Sequence, residues 1–192
     1  MNGPVLCTPR LILRPLAAED WEPWAAFHAE EETMRFLGGV QSRGVAWRSL
    51  CGMAGAWTIR GFSMFSVVER TTGTWLGRIG PHQPEGWPGT EVGWGLAREH
   101  AGKGYALEAA TAAMDYAVDE LGWDHVIHTI DPDNVASIAL AKRLGSVNEG
   151  PTQLPPPLQD FRVDAWGQSA ADWRARRGAT GSREFNSLPQ PG

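Results

Sequence analysis

The stretch from Thr90 to Leu121 limits the fold more than any other part of the chain. It reads TEVGWGLA, then REHAGKGYALEAA, then an alanine-rich continuation. The first piece has the character of a strand interrupted by Gly93 and Gly95. The last has helical period: Ala106, Ala109, Ala113 and Ala117 form a small-residue stripe, and Glu108, Thr111, Asp115 and Asp119 a polar one. Gly122 suits a C-terminal cap. Between them lies a glycine loop that runs straight into the helix. A helix N-terminus offers unpaired N–H groups and partial positive charge, and glycines just before it let an anion approach the backbone closely. Lys103, one of two lysines in the chain, can add charge there.

Three readings of this loop compete. A Walker loop needs Ser or Thr after the lysine to hold magnesium, and here Gly104 and Tyr105 follow. A dinucleotide fingerprint needs G-x-G-x-x-G after the first strand of a βαβ unit, but GKGYAL ends in leucine and several elements precede it. The third reading is a plain glycine turn into a helix, which the loop alone does not defeat.

The remaining elements surround this unit. RLILRPL, Arg10 to Leu16, alternates as a half-buried strand does. AAEDWEPWAAFHAEEETMRFLGG shifts to helical spacing, with Trp21, Trp24 and His28 on one side, Pro23 in the first turn and Gly38 and Gly39 as the stop. Ser42 to Arg60 reads as a second helix. FSMFSVVE, RTTG and TWLGRIG form a hairpin signal, and PHQPEGWPG a loop. HVIHTI is a β-rich run. Asn134 can cap a helix that ends at Leu144 before Gly145. PTQLPPP reads as a loop, FRVDAW as a strand and SAADWRARRG as a short helix. From Ala179 the sequence has no period and is read as a flexible tail or an expression remnant, leaving one domain over residues 1–178. The order is that of an α/β or α+β sheet with helices on its faces.

Bulk properties narrow the partners. The chain of 192 residues carries a formal net charge of -5, which argues against nucleic acid or an anionic membrane as the main partner. Any anion site must therefore be local. There are two cysteines, far apart in sequence, which fits free thiols in a reducing compartment. No basic start with an apolar run opens the chain and no stretch approaches the roughly 18 apolar residues of a membrane span; a cytoplasmic location is expected. Oligomeric state, monomer or homodimer, is not readable. His125 and His128, three apart on a strand, point to opposite faces, so no metal site is expected.

Three pieces, in this order and spacing, resemble the GCN5-related N-acetyltransferases, and within them relatives of the ribosomal-protein and antibiotic acetyltransferases. They are TPRLILRPLAAED, EVGWGLAREHAGKGYALEAATAAMDYA and NVASIALAKRLG. The resemblance implies an acyl-CoA N-acyltransferase fold, with a mixed, mostly antiparallel sheet of about six to seven strands and helices on both faces. It implies that acetyl-CoA is co-substrate, that its pyrophosphate binds the loop, and that the acetyl group passes directly to a primary amine of a protein N-terminus, an amino acid or a small molecule. An acyl-CoA sensor, a degenerate relative, or transfer of another acyl group such as succinyl is the alternative. The family loop often begins with Gln or Arg. Here that position is Glu99, whose acidic side chain should point to solvent.

Residues follow from this frame. Gly93 and Gly95 suggest a bulge that frees a backbone N–H for the thioester oxygen, or else only relief of packing around Trp94. Trp94, Gly95 and Leu96 would meet the thioester and pantetheine. The amides of Ala101, Gly102, Lys103, Gly104, Tyr105 and Ala106 would take the pyrophosphate. Asn134 would face pantetheine, and Ser137 would stand near the sulfur as candidate acid, unless the two only cap their helix. An ε-amine costs on the order of 4–5 kcal/mol to neutralise at pH 7 and an α-amine about 1–1.5, so the need for a base depends on the acceptor. The base candidates are Glu91, on the face of Gly93 and Gly95 by the period of two, with His128 and His82. The acceptor cleft is expected between the first two helices and PTQLPPP, with Trp47 to Trp57, the Trp87 loop and acidic Glu30, Glu31 and Glu32 as further candidates for contact.

Overall fold

The computed structural model describes residues 3–179. One eight-stranded sheet organises them, built from β1 (Leu6–Cys7), β2 (Leu11–Arg14), β3 (Phe65–Glu69), β4 (Trp75–His82), β5 (Glu91–Leu96), β6 (His125–Ile130), β7 (Val147–Thr152) and β8 (Val163–Ser169). The spatial order is β1-β2-β3-β4-β5-β6-β8-β7. Every neighbouring pair is antiparallel except β5 and β6. A parallel pair needs a crossover, and the helix α4 (Tyr105–Asp115), continued by a π-helical turn at Tyr116–Glu120, supplies it.

The strand alternation sorts two cores. Leu11, Leu13, Phe65, Val67, Ile79 and Val92 pack with Ala109, Ala113 and Ala117 of the α4 segment. Small side chains there let the helix lie close to the sheet. On the opposite face Val68 and Trp75 pack with Trp24 and Phe27 of α1 (Trp21–Ala29), Met34 of α2 (Glu31–Met34), and Ala46 and Leu50 of α3 (Arg43–Ile59). α5 (Val135–Leu144) and α6 (Ala170–Ala179) complete the set. The polar stripe of α4 anchors neighbours: Glu108 accepts from Thr8 Oγ1 and Arg10 Nε, and Asp115 accepts from Trp173 Nε1 and Arg177.

Four expectations are corrected. The sheet has eight strands rather than six to seven, because β1 has only two residues and β7 carries Gly150 and Pro151 beside a register shift at the sheet edge, where proline is tolerated. The expected first helix is broken at Glu30, whose extended backbone starts α2 and whose carboxylate accepts from Glu32 N and Thr33 N. Pro81 and His82 belong to β4, not to the following loop. Pro81 needs no donor toward β3, whose pairing with β4 ends at Ile79. Ala179, expected to open the tail, is the last residue of α6, while the rest of that segment, 180–192, lies outside the described residues. Among the described residues no helix is long and apolar enough to cross a membrane, and both cysteines are free.

Candidate active site

β5 has two unlike faces. Its register with β4 runs without a break from Gly77 opposite Leu96 to His82 opposite Glu91, so cross-strand partners share a face. Val92, Trp94 and Leu96 face the α4 core. Glu91, Gly93 and Gly95 face the other way, beside Arg78, Gly80 and His82 of β4. Three of those six positions are glycine, so the sheet is bare there, and the other three side chains are all ionisable.

The bulge expected at Gly93 and Gly95 is absent, since the register of β5 with β4 does not shift. The glycines instead clear space on the Glu91 face. A Cβ on Gly93 would lie 2.6 Å from Met64 Cε and 3.2 Å from Glu91 Oε1, and one on Gly95 would lie 2.9 Å from Phe27 Cζ. Backbone is opened by splay instead. β5 and β6 pair at Glu91 opposite Ile127 and then diverge. With Ala97 N bonded to Leu76 O, the alternation of an antiparallel ladder turns the N–H and C=O groups of Val92, Trp94 and Leu96 toward β6.

His128 wedges this divergence. Its Nδ1 donates to Val92 O at 2.7 Å, and its Nε2 accepts from Ser146 Oγ at 3.0 Å, which in turn accepts from Gln168 Nε2 at 2.9 Å. The carbonyl can only accept, so this network fixes the neutral tautomer. Burial pushes the ring's pKa down to about 4. The Trp94 ring packs on His128 with centroids 4.6 Å apart, and its Nε1 donates to Ser137 Oγ at 3.1 Å. Ser137 N donates to Asn134 Oδ1 at 3.1 Å, so the capping arrangement is present. The Ser137 O–H remains able to donate.

Glu91 lies opposite. Its Oε2 accepts from Trp87 Nε1 at 2.6 Å and from Thr129 Oγ1 at 2.8 Å, while Oε1 lies over bare Gly93. Burial raises its pKa to about 7 against the pull of those donors and of Arg78. His82, stacked edge-on with Trp87, is pushed down to about 3 by burial and by the Arg78 charge.

A cavity of about 560 Å³ joins Glu91, His82, Trp94, His128, Asn134 and Ser137. Its walls come from residues 36–42, from α3, from Trp87 and from the segment 154–163. That matches the expected cleft between the early helices and the proline-rich loop. Trp57 is instead in the core and Trp47 is exposed. Glu30, Glu31 and Glu32 are not in the lining; its carboxylates are Glu91 and Asp131. Sequence reasoning passed over Arg78 and Thr129. The signal for Arg78 was available: an arginine within the alternation of TWLGRIG shares a strand face with its neighbours two residues away.

The glycine loop lies outside the cavity. Ala101, Gly102, Lys103 and Gly104 are exposed, and Gly102 and Gly104 have φ of +74° and +81°. Gly104 caps α4 without a side-chain bond, which leaves the first-turn N–H groups near Tyr105 and Ala106 open to an external acceptor. Arg10 braces the loop: its guanidinium donates to Lys103 O at 2.9 Å, binds Glu108 and lies over the Tyr105 ring. Tyr105 OH in turn donates to Glu69. Glu99 is largely exposed. An uncapped helix start with two left-handed glycines fits a diphosphate, and the diverging strands fit an extended chain carrying a thioester.

Comparison with known proteins agrees with this geometry. The family model described as an acetyltransferase (GNAT) domain matches residues 10–147. The uncharacterized protein YkkB of Bacillus subtilis (strain 168) is 40% identical over 87 residues, 44% of this chain and 51% of that protein, so the match spans about half of its length. The uncharacterized N-acetyltransferase p20 of Bacillus licheniformis is 28% identical over 148 residues, covering 76% of this chain and 83% of that one. Among solved structures, the acetyltransferase from Agrobacterium tumefaciens str. C58 superposes with a TM-score of 0.76 at 30% identity, over 88% of this chain and 95% of that one.

Proposed function

This chain belongs to the GNAT acetyltransferase family, and on that premise we propose that it transfers an acetyl group from acetyl-CoA to a primary amine bound in the cavity beside Glu91. The observation that carries this reading is the opposition of two groups across the β5–β6 divergence. Glu91 offers a carboxylate oxygen, Oε1, that takes no side-chain hydrogen bond among the described residues, both side-chain donors going to Oε2, and Ser137 offers a hydroxyl.

The diphosphate would rest on the amides of Ala101 to Ala106 with Lys103 alongside, and pantetheine on the backbone of Trp94 and Leu96 and on Asn134; Gly95, expected to join them, has its backbone turned to β4 opposite Arg78. Bound there, acetyl-CoA supplies an acetyl thioester, whose C–S bond breaks as the amine forms a C–N bond. The N–H of Trp94, unpaired by β6, suits the thioester oxygen as charge develops on it. The amine enters protonated. Glu91 Oε1 takes one proton and passes it to solvent; with a pKa near neutrality it can do so at pH 7. Ser137 gives its proton to the departing sulfur and is replenished by the second proton from nitrogen, so one proton is released per turnover.

His128 is better suited as the wedge that keeps β5 and β6 apart, since both of its ring nitrogens are engaged. His82 is too weak a base. These features support catalysis over mere sensing of acyl-CoA, because a sensor has no use for a base poised near neutral pH. A thermal-shift panel of acyl-CoAs, followed by a thiol-release screen of amines with the best donor, tests the reading. Thiol release that depends on both acetyl-CoA and an amine is expected. Binding without release from any amine would favour the sensor.

A further inference from the structure

This inference deepens the transferase reading and rests on it. Arg78 is the unexplained group of the cavity. It lines the cavity yet is only 8% exposed. Among the described residues its hydrogen-bond contact is with a thioether, NH1 to Met64 Sδ at 2.7 Å, and its Nε has no partner. Its guanidinium lies 5.8 Å from the Trp24 ring centroid. The titratable groups facing it are His28, His82 and Glu91. Burial keeps both histidines neutral at pH 7, and Glu91 forms no ion pair with it among the described residues. Other shielded arginines are matched: Arg14 grips Asp20 with two nitrogens, and Arg177 grips Asp115. A buried guanidinium without a carboxylate in contact is costly to keep for stability alone.

The side chain of Met64 relates Arg78 to the base. Arg78 touches its sulfur, and its terminal methyl lies beside bare Gly93, next to Glu91 Oε1. Gly80 and Gly93, between the two charged groups, carry no side chain of their own, and the flexible Met64 side chain lies over Gly93. We propose that Arg78 is the carboxylate-binding, specificity-determining residue of the acceptor site, and that the acceptor is a free α-amino acid with an apolar side chain, its amine at Glu91 and its carboxylate on Arg78. An acceptor that carries both groups on one small frame suits both residues at once. Phe36, Leu37, Val45, Met53 and Leu158 in the lining suit an apolar side chain.

The test uses the whole protein with acetyl-CoA. Leucine, methionine and phenylalanine are compared with their methyl esters, their amides and short peptides that begin with the same residues. The free acids should exceed the others in kcat/KM by about 10- to 100-fold, the worth of a charge-assisted hydrogen-bonded pair. Arg78→Met should fold with a Tm at or above that of the native protein, because it removes an unpaired buried charge, and should treat acids and esters alike. Esters or peptides that equal the acids in the native protein would overturn the proposal and leave the transferase reading standing. Should no amine release thiol, the transferase reading fails, and binding judges Arg78 instead. A thermal shift by leucine and not by its methyl ester, lost in Arg78→Met, is then required, and equal shifts would overturn the assignment. If Arg78→Met does not fold, the acid-against-ester comparison on the native protein decides alone.

Discussion

The indole Nε1 of Trp94 on β5 donates to Ser137 Oγ on α5 across 3.1 Å, and this bond bridges the mouth of the strand divergence. It orients the hydroxyl so that its proton points elsewhere. Ser137→Ala should lower kcat by about 10²-fold with little change in KM for acetyl-CoA, as loss of a positioned proton donor does. Trp94→Phe keeps the serine and loses about 1 kcal/mol of orientation, roughly five-fold in kcat. Steady-state thiol release measures both. A Ser137→Ala enzyme with native kcat would remove the serine from the proton path.

Glu91 yields a prediction for activity and one for stability. Glu91→Gln should cost about 10²-fold in kcat and abolish the rise in kcat with pH through about 7. In the fold Glu91 holds its proton up to about pH 7, against 4.5 ordinarily. Between those values the native state binds more protons than the unfolded chain. Stability therefore falls as pH rises through this window, by on the order of 3 kcal/mol in full. Glu91→Gln lacks that loss, so urea unfolding at pH 5 and pH 8 should show the variant gaining on the native protein by that order.

The buried histidines act in the opposite direction. His28 and His128 have pKa values lowered to about 4, chiefly by burial, from an ordinary 6.5. Below pH 6.5 the unfolded chain takes up protons that the native state does not, so stability is lost as pH falls toward 4. His128→Asn should be less stable than the native protein at pH 7, through its lost wedge, yet should lose less between pH 6.5 and 4. Denaturant midpoints across that range check it; parallel curves would contradict it.

Asn134 caps α5 through Oδ1, a role that aspartate fills equally well. Asn134→Ala should cost about 1 kcal/mol of stability. Asn134→Asp should keep the Tm but raise the KM for acetyl-CoA, because the amide N–H that would meet pantetheine is gone. An unchanged KM would confine Asn134 to capping.

Much of this was legible from residue order. The loop–helix unit is local, so glycines, a capping asparagine and an alanine stripe announce it directly. The face shared by Glu91 and Gly93 follows from the period of a strand. The splay did not follow: its cause is a histidine ring bonded across 36 positions to Val92 O, and the glycines suggested a bulge that the register excludes. Nor did β7, an edge strand whose last two residues, Pro151 and Thr152, read locally as the start of a loop. Arg78 was hidden because its significance is a missing partner, and a sequence does not display what a side chain fails to touch.

The most direct measurement is calorimetric titration of the protein with acetyl-CoA. A single saturable heat is expected, weakened by salt and reduced by Lys103→Ala, because a diphosphate on the first turn of α4 anchors the ligand. No heat at millimolar acetyl-CoA from folded protein would contradict the site and the chemistry built upon it.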